Sequence, residues 1–359
     1  MKTFPLKYNK MQEYKEYFNP KDWIEFVLRE INPMFSTSKV KGRILSIHLE
    51  TETARTFTIE TNRKISFKAG QYIPVTVEVN GRRLTRYYSI SSAPSEGLLQ
   101  ITIKRQKDGL VSNFMHDHLS LGSVIELGEA KGEFVLTENL PEKLLLIAGG
   151  SGITPIYSIL KTLSKMGYTG EATLLYFSRS KEDVIFHEAI QNLEKNNSFL
   201  KTHFILTDIE SNGFQFGFLS EKMLKTLVPD FDLRTTYLCG PKSLQDSVKD
   251  LLPKDKIISE NFQPFLKSSA KRHLKDVSVT LTKSHRTILV KGEKNLLEEL
   301  EDNGIYPQSG CRMGICHTCA CTKKTGTVTN LQEGTVSENK DETIQLCLSR
   351  AEENLELDL

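Results

Sequence analysis

The stretch Pro307-Gln308-Ser309-Gly310-Cys311-Arg312-Met313-Gly314-Ile315-Cys316-His317-Thr318-Cys319 brings three cysteines into one short loop. With Cys347 further on, the pattern is Cys-x4-Cys-x2-Cys followed by a distant cysteine, the spacing that holds a [2Fe-2S] cluster. Four thiolates are required because each of the two irons takes two sulfur ligands besides the bridging sulfides. Clustered cysteines can also bind zinc, but structural zinc usually uses paired Cys-x2-Cys knuckles. The sequence therefore predicts that Cys311, Cys316, Cys319 and Cys347 hold a [2Fe-2S] cluster and that the chain moves single electrons.

Residues 276–359 around this loop resemble a plant-type ferredoxin, a family with the β-grasp (α+β) fold. Short apolar strands are predicted at 277–281 and 287–290. Leu296, Leu297 and Leu300 then precede Asn303-Gly304, as on a short helix that ends at a glycine. The order strand, strand, helix, cluster loop and strand fits that fold.

The length of 359 residues suggests two or three domains, because single cores seldom grow beyond about 250 to 300 residues. No apolar run approaches the roughly eighteen residues of a membrane helix, and the N-terminus has no hydrophobic signal region. We expect a cytoplasmic monomer without a nucleic-acid partner. At most it makes a peripheral contact with the inner face of the membrane. Using cysteines for a metal cluster rather than for disulfides agrees with that compartment.

Charge is spread unevenly along the chain, although the net charge is only +2. Residues 276–359 contain 14 acidic and 9 basic side chains, so this part carries −5 and the remainder +7. An acidic ferredoxin part beside a basic remainder is expected to attract its own reductase half. Solvated faces without a docking role remain equally open.

The segment Arg86-Tyr87-Tyr88-Ser89 has the order Arg-x-Tyr-Ser on a predicted strand. Arg86 can neutralise a phosphate, Tyr88 can lie against a flavin ring, and Ser89 can hydrogen-bond the flavin. This order resembles the flavin site of the ferredoxin-NADP reductase superfamily. An exposed strand of an ordinary barrel can also contain arginine and tyrosine in this order. The resemblance implies an antiparallel β-barrel that binds FAD, with FMN as the alternative.

A second loop places Gly109 and Ser112 before a predicted helix, where backbone amides and a hydroxyl can meet a pyrophosphate. In the reductase superfamily the corresponding loop secures the flavin phosphates. The alternative is a glycine turn with a serine that caps the helix.

A glycine-rich turn follows the apolar strand that begins at Lys143. Parallel strands that are buried on both faces read as continuous apolar runs, and glycines let the backbone approach a dinucleotide pyrophosphate at a helix N-terminus. The turn resembles the nicotinamide loop of the same superfamily, which implies an α/β parallel-sheet domain. The residues assigned to this loop are Gly149, Gly150, Ser151, Gly152, Thr154 and Pro155.

Ser178 and Arg179 end the next predicted strand. Serine and arginine suit an adenine ribose 2′-phosphate, which favours NADPH, while the nearby Glu182 and Asp183 keep NADH open. The resemblance further implies that Cys239, in a Cys-Gly-Pro turn, lies by the hydride-donating carbon. Glu260 and Phe262 form the superfamily's final acidic and aromatic pair beside the flavin, and Thr154 also lies near it. These four residues are the predicted catalytic ones; each could instead be plain core or turn.

The motifs divide the chain into five predicted parts. They are an N-terminal helical extension at 1–38, a flavin barrel at 39–138, a nicotinamide domain at 139–262, a linker at 263–275 and the ferredoxin domain at 276–359. In the extension, Trp23, Phe26, Val27 and Ile31 share a helical face. We expect this face to pack on the barrel; a partner or a membrane surface is the alternative.

The predicted route runs from NADPH through the flavin to the cluster and then to an external acceptor, because a flavin bridges two-electron and one-electron chemistry. Eight histidines are scattered without the paired spacing of a di-iron oxygenase, so oxygen chemistry belongs to a partner. The chain resembles bacterial reductases that serve membrane-bound di-iron fatty-acid desaturases, and this is the first reading. The reductase component of a ring- or alkane-hydroxylating oxygenase is the second, and a flavin and iron–sulfur redox sensor is a reading of another class.

Overall fold

The computed structural model describes residues 20–107, 109–137, 139–262, 276–312, 314, 316–332 and 334–359, except the side chains of 20–22 and 29. The predicted linker 263–275 and residues 1–19 of the predicted extension lie outside this range. Seven α-helices occur in the described residues: α1 (Pro20–Ile31), α2 (Leu110–His118), α3 (Ile153–Lys165), α4 (His187–Asn196), α5 (Glu221–Leu227), α6 (Lys242–Leu251) and α7 (Leu296–Asp302). None of these helices has the length and hydropathy that crossing a membrane requires.

The first sheet is antiparallel and has the strand order β4-β3-β6-β1-β2-β5. Its strands are β1 (Val40–Thr51), β2 (Ala54–Thr61), β3 (Tyr72–Val79), β4 (Arg82–Ser89), β5 (Leu99–Lys104) and β6 (Val124–Leu127). Ile90, directly after β4, bridges Ile101 of β5, so the two edges of the sheet meet. Alternating apolar side chains from all six strands fill the interior, as expected for a barrel with one buried face. The predicted flavin barrel is therefore present.

The second sheet is parallel, with the order β10-β9-β8-β7-β11-β12. Its strands are β7 (Lys143–Gly149), β8 (Glu171–Ser178), β9 (Leu200–Leu206), β10 (Gln215–Phe216), β11 (Thr235–Cys239) and β12 (Ile257–Glu260). Leu144 and Leu146 pack into the core on one face, and Leu145 and Ile147 pack into the core on the other. Burial on both faces explains the continuous apolar run of β7.

The strand order of the parallel sheet reverses at β7. The chain builds β8 to β10 on one side of β7 and returns to add β11 and β12 on the other side. Ligands of open α/β sheets bind at such a switch point, beyond the carboxyl ends of the strands. Here those ends carry the glycine-rich turn after β7 and the Cys-Gly-Pro turn after β11.

The C-terminal sheet is mixed and has the order β14-β13-β19-β15-β17, with a separate pair β16-β18. The mixed sheet consists of β13 (Val277–Leu281), β14 (Arg286–Val290), β15 (Ala320–Thr325), β17 (Glu342–Gln345) and β19 (Leu355–Leu357), and the pair consists of β16 (Val328–Asn330) and β18 (Ser349–Ala351). Helix α7 ends before Gly304, whose φ of +73° is the left-handed conformation that stops a helix. This agrees with the predicted ferredoxin fold.

Helix α1 is held to the chain that follows it by its polar side. Glu25 accepts a hydrogen bond from Ser36 Oγ at 2.7 Å and another from the Thr37 amide at 2.7 Å. Trp23, Phe26 and Ile31 remain 59%, 51% and 69% exposed. The described part of the barrel therefore does not cover the apolar face, contrary to our expectation that this face packs there.

The barrel and the parallel sheet are joined by buried polar contacts. Lys161 of α3 forms an ion pair with Glu96 at 2.8 Å, and both side chains are largely buried. Ser158 donates to the Ser92 carbonyl at 2.6 Å, and Tyr237 donates to the Val135 carbonyl at 3.1 Å. Breaking a buried ion pair leaves an uncompensated charge, so these contacts hold the two domains in a defined orientation. The cleft between the two domains contains the site.

Candidate functional site

A cleft of about 860 Å³ opens at the switch point of the parallel sheet, a volume typical of cofactor sites. It is lined by the turn at 149–152, by Ser178 and Arg179 after β8, and by Phe262. These predicted nucleotide residues come from separate strands and meet because parallel strands end at one edge. Residues 104–107 line the opposite wall, and Lys104 there forms an ion pair with Asp183 at 2.6 Å.

The glycine turn fits closely against the turn after β11. A Cβ atom on Gly152 would lie 2.2 Å from the Cys239 carbonyl oxygen, and one on Gly149 would lie 2.6 Å from Pro241 Cδ. Gly150 has a φ of +54°, in the left-handed region that favours glycine. The backbone therefore forms a shallow cradle at the start of α3, which fits a dinucleotide pyrophosphate.

Thr154 and Pro155 lie behind this cradle rather than on its surface. The Thr154 hydroxyl donates to the Ser151 carbonyl at 2.9 Å, and both residues are buried in the first turn of α3. Proline is tolerated in the first turn because its missing amide would have no helical partner there. Their observed contacts shape the turn, and neither side chain lines the cleft.

At the far end of the cleft, Arg179 is exposed while Ser178 is buried. Asp208 and Phe218 line the cleft with them, and Phe218 is 74% exposed. Sequence reasoning missed Asp208 and Phe218, and in the second phosphate loop it assigned Gly109 and Ser112 rather than Lys104, Arg105 and Lys107. The basic run at the end of β5 was a usable signal, whereas nothing local marked Phe218.

A second, narrow cavity lies between β4, the end of β12 and the cluster loop. It is lined by Tyr72, Tyr87, Ser89, Glu260, Asn261, Phe262 and Cys311. Ser89 Oγ is buried without a hydrogen-bond partner among the described residues, so it is available to a bound flavin. Asn261 and Phe262 line both the cavity and the cleft, so the two spaces adjoin.

Strand alternation decides which motif residues reach this cavity. Tyr87 and Ser89 point to it, whereas Tyr88 packs against the barrel interior and Arg86 lies on the Tyr88 side. Burial raises the pKa of Tyr88. Arg86 donates to the Gly310 carbonyl at 3.3 Å, beside the first cluster cysteine. The structure thus brings Tyr87, which the motif had left unassigned, to the cavity lining.

In the second predicted phosphate loop, the Ser112 side chain forms its hydrogen bonds within the loop. The Ser112 hydroxyl donates to the Gly109 carbonyl at 3.1 Å and accepts from the Gln106 amide at 3.2 Å. Neither Gly109 nor Ser112 lines the cleft or the cavity, although the basic residues just before them do.

Burial dominates the electrostatics of the Cys239 and Glu260 pair, which are neighbours on β11 and β12. Burial raises the pKa of Glu260 to about 8, and its Oε2 has no hydrogen-bond partner among the described residues. Burial, with the Glu260 charge, also raises the pKa of the Cys239 thiol well above its usual range. Cys239 is fully buried in the core, so its thiol is neutral, and Glu260 is largely protonated at neutral pH.

The four predicted ligand cysteines form two pairs. The Cys316 amide donates to Cys311 Sγ at 3.3 Å, and the Cys311 amide donates to Cys316 Sγ at 3.2 Å. Cys319 Sγ and Cys347 Sγ lie 3.2 Å apart. No three metal-ligating side chains in the described ranges converge on a single metal ion. Two thiol pairs fit a two-iron cluster, in which each iron takes two thiolates, better than a four-cysteine zinc centre.

Strand pairing brings the remote Cys347 to the loop. Ala320 of β15 pairs with Gln345 of β17, and the Leu346 amide donates to the Cys319 carbonyl at 3.1 Å. Gly314 has a φ of +78°, and a Cβ there would lie 2.2 Å from Leu348 Cδ1. Cys321 lies outside the predicted ligand set. It packs in the core of the C-terminal domain, and burial raises the pKa of its thiol to about 11.

The cluster loop lies directly against β4 of the barrel. The Arg82 guanidinium lies 3.7 Å from the centre of the Tyr306 ring, and Arg86 reaches Gly310. Cys311 lines the narrow cavity itself. Among the described residues, the cleft, the narrow cavity and the cysteine loop therefore form one continuous series.

Comparison with known proteins gives three family models in the same order. An oxidoreductase FAD-binding domain matches residues 42–136, and an oxidoreductase NAD-binding domain matches residues 146–250. A 2Fe-2S iron-sulfur cluster binding domain matches residues 279–352. These matches agree with FAD, a nicotinamide dinucleotide and a [2Fe-2S] cluster as the cofactors.

Two relatives match over most of their length. The ferredoxin reductase component of a 3-ketosteroid-9-alpha-monooxygenase from Mycobacterium tuberculosis is 32% identical over 311 residues, which are 81% of this chain and 84% of that protein. The glycine betaine monooxygenase reductase subunit of Chromohalobacter salexigens is 26% identical over 342 residues, which are 86% of this chain and 93% of that protein.

Among solved structures, phthalate dioxygenase reductase aligns with a TM-score of 0.66 over 90% of this chain and 98% of its own. The sequence identity is 24%, so this likeness concerns the fold. The fold described above therefore matches the fold of that protein.

Proposed function

Since this chain belongs to the family of oxidoreductases that join an FAD-binding, an NAD-binding and a [2Fe-2S] cluster-binding domain, we propose that it is the reductase component of a hydroxylating oxygenase. It is an electron-transfer oxidoreductase that uses NAD(P)H, FAD and a [2Fe-2S] cluster.

The observation that carries the proposal is the continuity of the site. Phe262 lines both the nucleotide cleft and the flavin cavity, and Cys311 lines the other end of that cavity. A two-electron donor, a flavin and a one-electron acceptor can therefore bind next to one another. When bound, FAD accepts the two electrons of a hydride and releases them singly, which the cluster requires.

The chain's own residues prepare this site in three ways. Ser89 presents an unused buried hydroxyl to the flavin cavity. Glu260, held protonated by burial, can donate a hydrogen bond there at neutral pH. The half-buried Phe262 ring lines both the cavity and the open cleft, so it would lie between a bound flavin and a bound nicotinamide.

We propose NADPH as the preferred nucleotide. The exposed Arg179 guanidinium lines the end of the cleft beside Ser178, and a guanidinium binds a phosphate with paired charge-assisted hydrogen bonds. Asp208 also lines this region and suits a ribose hydroxyl, so NADH binding is retained at lower affinity.

The acceptor is inferred from the relatives. Both relatives described above are reductase components of monooxygenases by name. The desaturase partnership, which was the first reading of the sequence, gains no support from these relatives, and the hydroxylating-oxygenase alternative fits better.

The test supplies the purified chain and NADPH to soluble and membrane fractions of the source cells under ¹⁸O₂. Labelled aromatic, alkyl and saturated acyl substrates are added, while reduction of cytochrome c shows that the chain is active. We expect ¹⁸O-labelled hydroxylated products only when the chain is present.

The other outcomes are distinct. New double bonds in the acyl substrate, without hydroxylated products, would replace the proposal with a desaturase partnership. Failure of NADPH to drive rapid reduction of cytochrome c would favour a redox sensor. Rapid cytochrome c reduction without any product in either fraction would count against an oxygenase partner.

A further inference from the structure

Tyr87 lies between the flavin cavity and the cluster loop. Its ring lines the cavity beside Ser89, and the Tyr72 ring meets it edge-on with centroids 5.4 Å apart. A Cβ on Gly310, the residue before the first ligand cysteine, would lie 3.1 Å from Tyr87 Cε2 and 2.7 Å from Cys316 Sγ. Because Gly310 has no side chain, Tyr87 of the barrel can approach Cys316 closely at this position.

The side chain of Tyr87 reaches the cluster side of the interface. Three atoms surround the Cβ position at Gly310: Cys316 Sγ at 2.7 Å, Thr318 Oγ1 at 3.0 Å and Tyr87 Cε2 at 3.1 Å. The Tyr87 ring and the Thr318 hydroxyl therefore both approach one ligand sulfur. A cluster-bound cysteine sulfur is a thiolate without a proton, so toward it a hydroxyl can act only as a donor.

A hydrogen bond to a ligand sulfur changes the reduction potential of an iron–sulfur cluster. Reduction adds one negative charge, and a donor stabilises the more negative state more strongly. A donor supplied by the barrel therefore makes the cluster easier to reduce only while the ferredoxin domain lies against the flavin domain.

We propose that Tyr87 is a positioning residue that joins the two redox sites, its hydroxyl donating to Cys316 Sγ and raising the potential of the cluster when the domains are in contact. A bound flavin would supply the single electron and the cluster held by the four cysteines would accept it, while Tyr87 keeps its proton and is not oxidised. The inference rests on the electron route of the proposed function but does not depend on the acceptor.

The test is a redox titration of the purified holoprotein and of Tyr87→Phe with dithionite and mediators. Electron paramagnetic resonance follows the reduced cluster, and absorbance follows the flavin. We expect the equilibrium constant for reducing the cluster from the flavin to fall about tenfold, a shift of about 59 mV to more negative potential for a one-electron couple. The flavin potential and the iron content should stay unchanged.

Tyr306→Phe is the matched control. It removes a hydroxyl from the same interface, but the observed contact of Tyr306 is made by its ring with Arg82, which phenylalanine retains. We expect the wild-type cluster potential for this variant. An equal shift in both variants would mean a general loosening of the interface and would overturn the role of the Tyr87 hydroxyl, as would an unchanged potential in Tyr87→Phe.

Thr318→Val provides a second measurement if Tyr87→Phe assembles too little cluster. It keeps the side-chain shape and removes the hydroxyl next to Tyr87 and Cys316. We expect a smaller shift in the same direction, and a wild-type potential would contradict the shared hydrogen bonding. Dithionite replaces NADPH in this titration, and no oxygenase is present. An unchanged cluster potential would therefore say nothing about the proposed acceptor, and a different acceptor would not alter the measured potentials.

Discussion

At the scale of single residues, Glu260 is the carboxyl most altered by its surroundings in the site. Burial raises its pKa from the ordinary value of 4.5 to about 8, so the folded protein keeps a proton that the unfolded chain releases. The resulting stabilisation is complete below about pH 4.5 and is lost as the pH rises through about 8.

We therefore expect Glu260→Gln to flatten the pH dependence of the melting temperature. Glutamine does not titrate, so the wild type should lose stability relative to the variant between pH 5 and pH 8.5. Scanning calorimetry at several pH values measures this difference. Glu133→Gln is the matched control, because Glu133 is exposed nearby, and its curve should follow the wild type. Parallel curves for Glu260→Gln and the wild type would contradict the buried, protonated carboxyl.

Arg179→Ala should weaken NADPH much more than NADH. Hydrogen bonds to charged groups contribute about 1.5–3 kcal/mol, so we expect KM for NADPH to rise about 10- to 100-fold with little change for NADH. Steady-state cytochrome c reduction with both nucleotides measures the ratio. Lys181→Ala removes the same charge two residues away, outside the cleft lining, and should leave the ratio near the wild-type value. Equal losses for both nucleotides would refute the phosphate role of Arg179.

At the scale of elements, the turn between β7 and α3 depends on close approach. Gly152→Ala would place a Cβ 2.2 Å from the Cys239 carbonyl, and a backbone atom cannot move aside as a flexible side chain does. We expect a loss of stability of several kcal/mol and weakened nucleotide binding. Gly150→Ala meets no atom within 4 Å and should cost only the roughly 1–2 kcal/mol of a left-handed residue. Chemical denaturation and nucleotide titration distinguish the two variants, and equal effects would contradict the clash.

The elements themselves were largely readable from the sequence. The apolar run of β7, the strands at 277–281 and 287–290, and the helix ending before Gly304 agree with their local patterns. The apolar face of α1 did not follow the expectation, because the polar Glu25 contacts hold that helix to the chain. Periodicity identifies an amphipathic helix but does not tell which side faces the protein.

At the scale of the whole molecule, the modules should be separable in function. Cys316→Ser should abolish the visible absorption of the cluster, because serine does not supply the thiolate, while NADPH still reduces the flavin. Anaerobic stopped-flow absorbance follows both signals. Cys321→Ala, which changes a buried cysteine outside the ligand set, is expected to keep both. Loss of flavin reduction in Cys316→Ser would contradict the modular arrangement.

The sequence by itself determined the three modules, their order and the classes of their cofactors, because most of the residues that recognise each cofactor lie in a short motif. Three motifs can be recognised in the sequence alone: the cysteine spacing, Arg-x-Tyr-Ser and the glycine turn. Only the tertiary structure decided that Tyr87 rather than Tyr88 reaches the cavity, that Phe262 joins the cleft to the cavity, and that Cys347 lies beside Cys319. These facts depend on strand register and on the contact between domains, and both are set by pairing and packing between segments far apart in the chain.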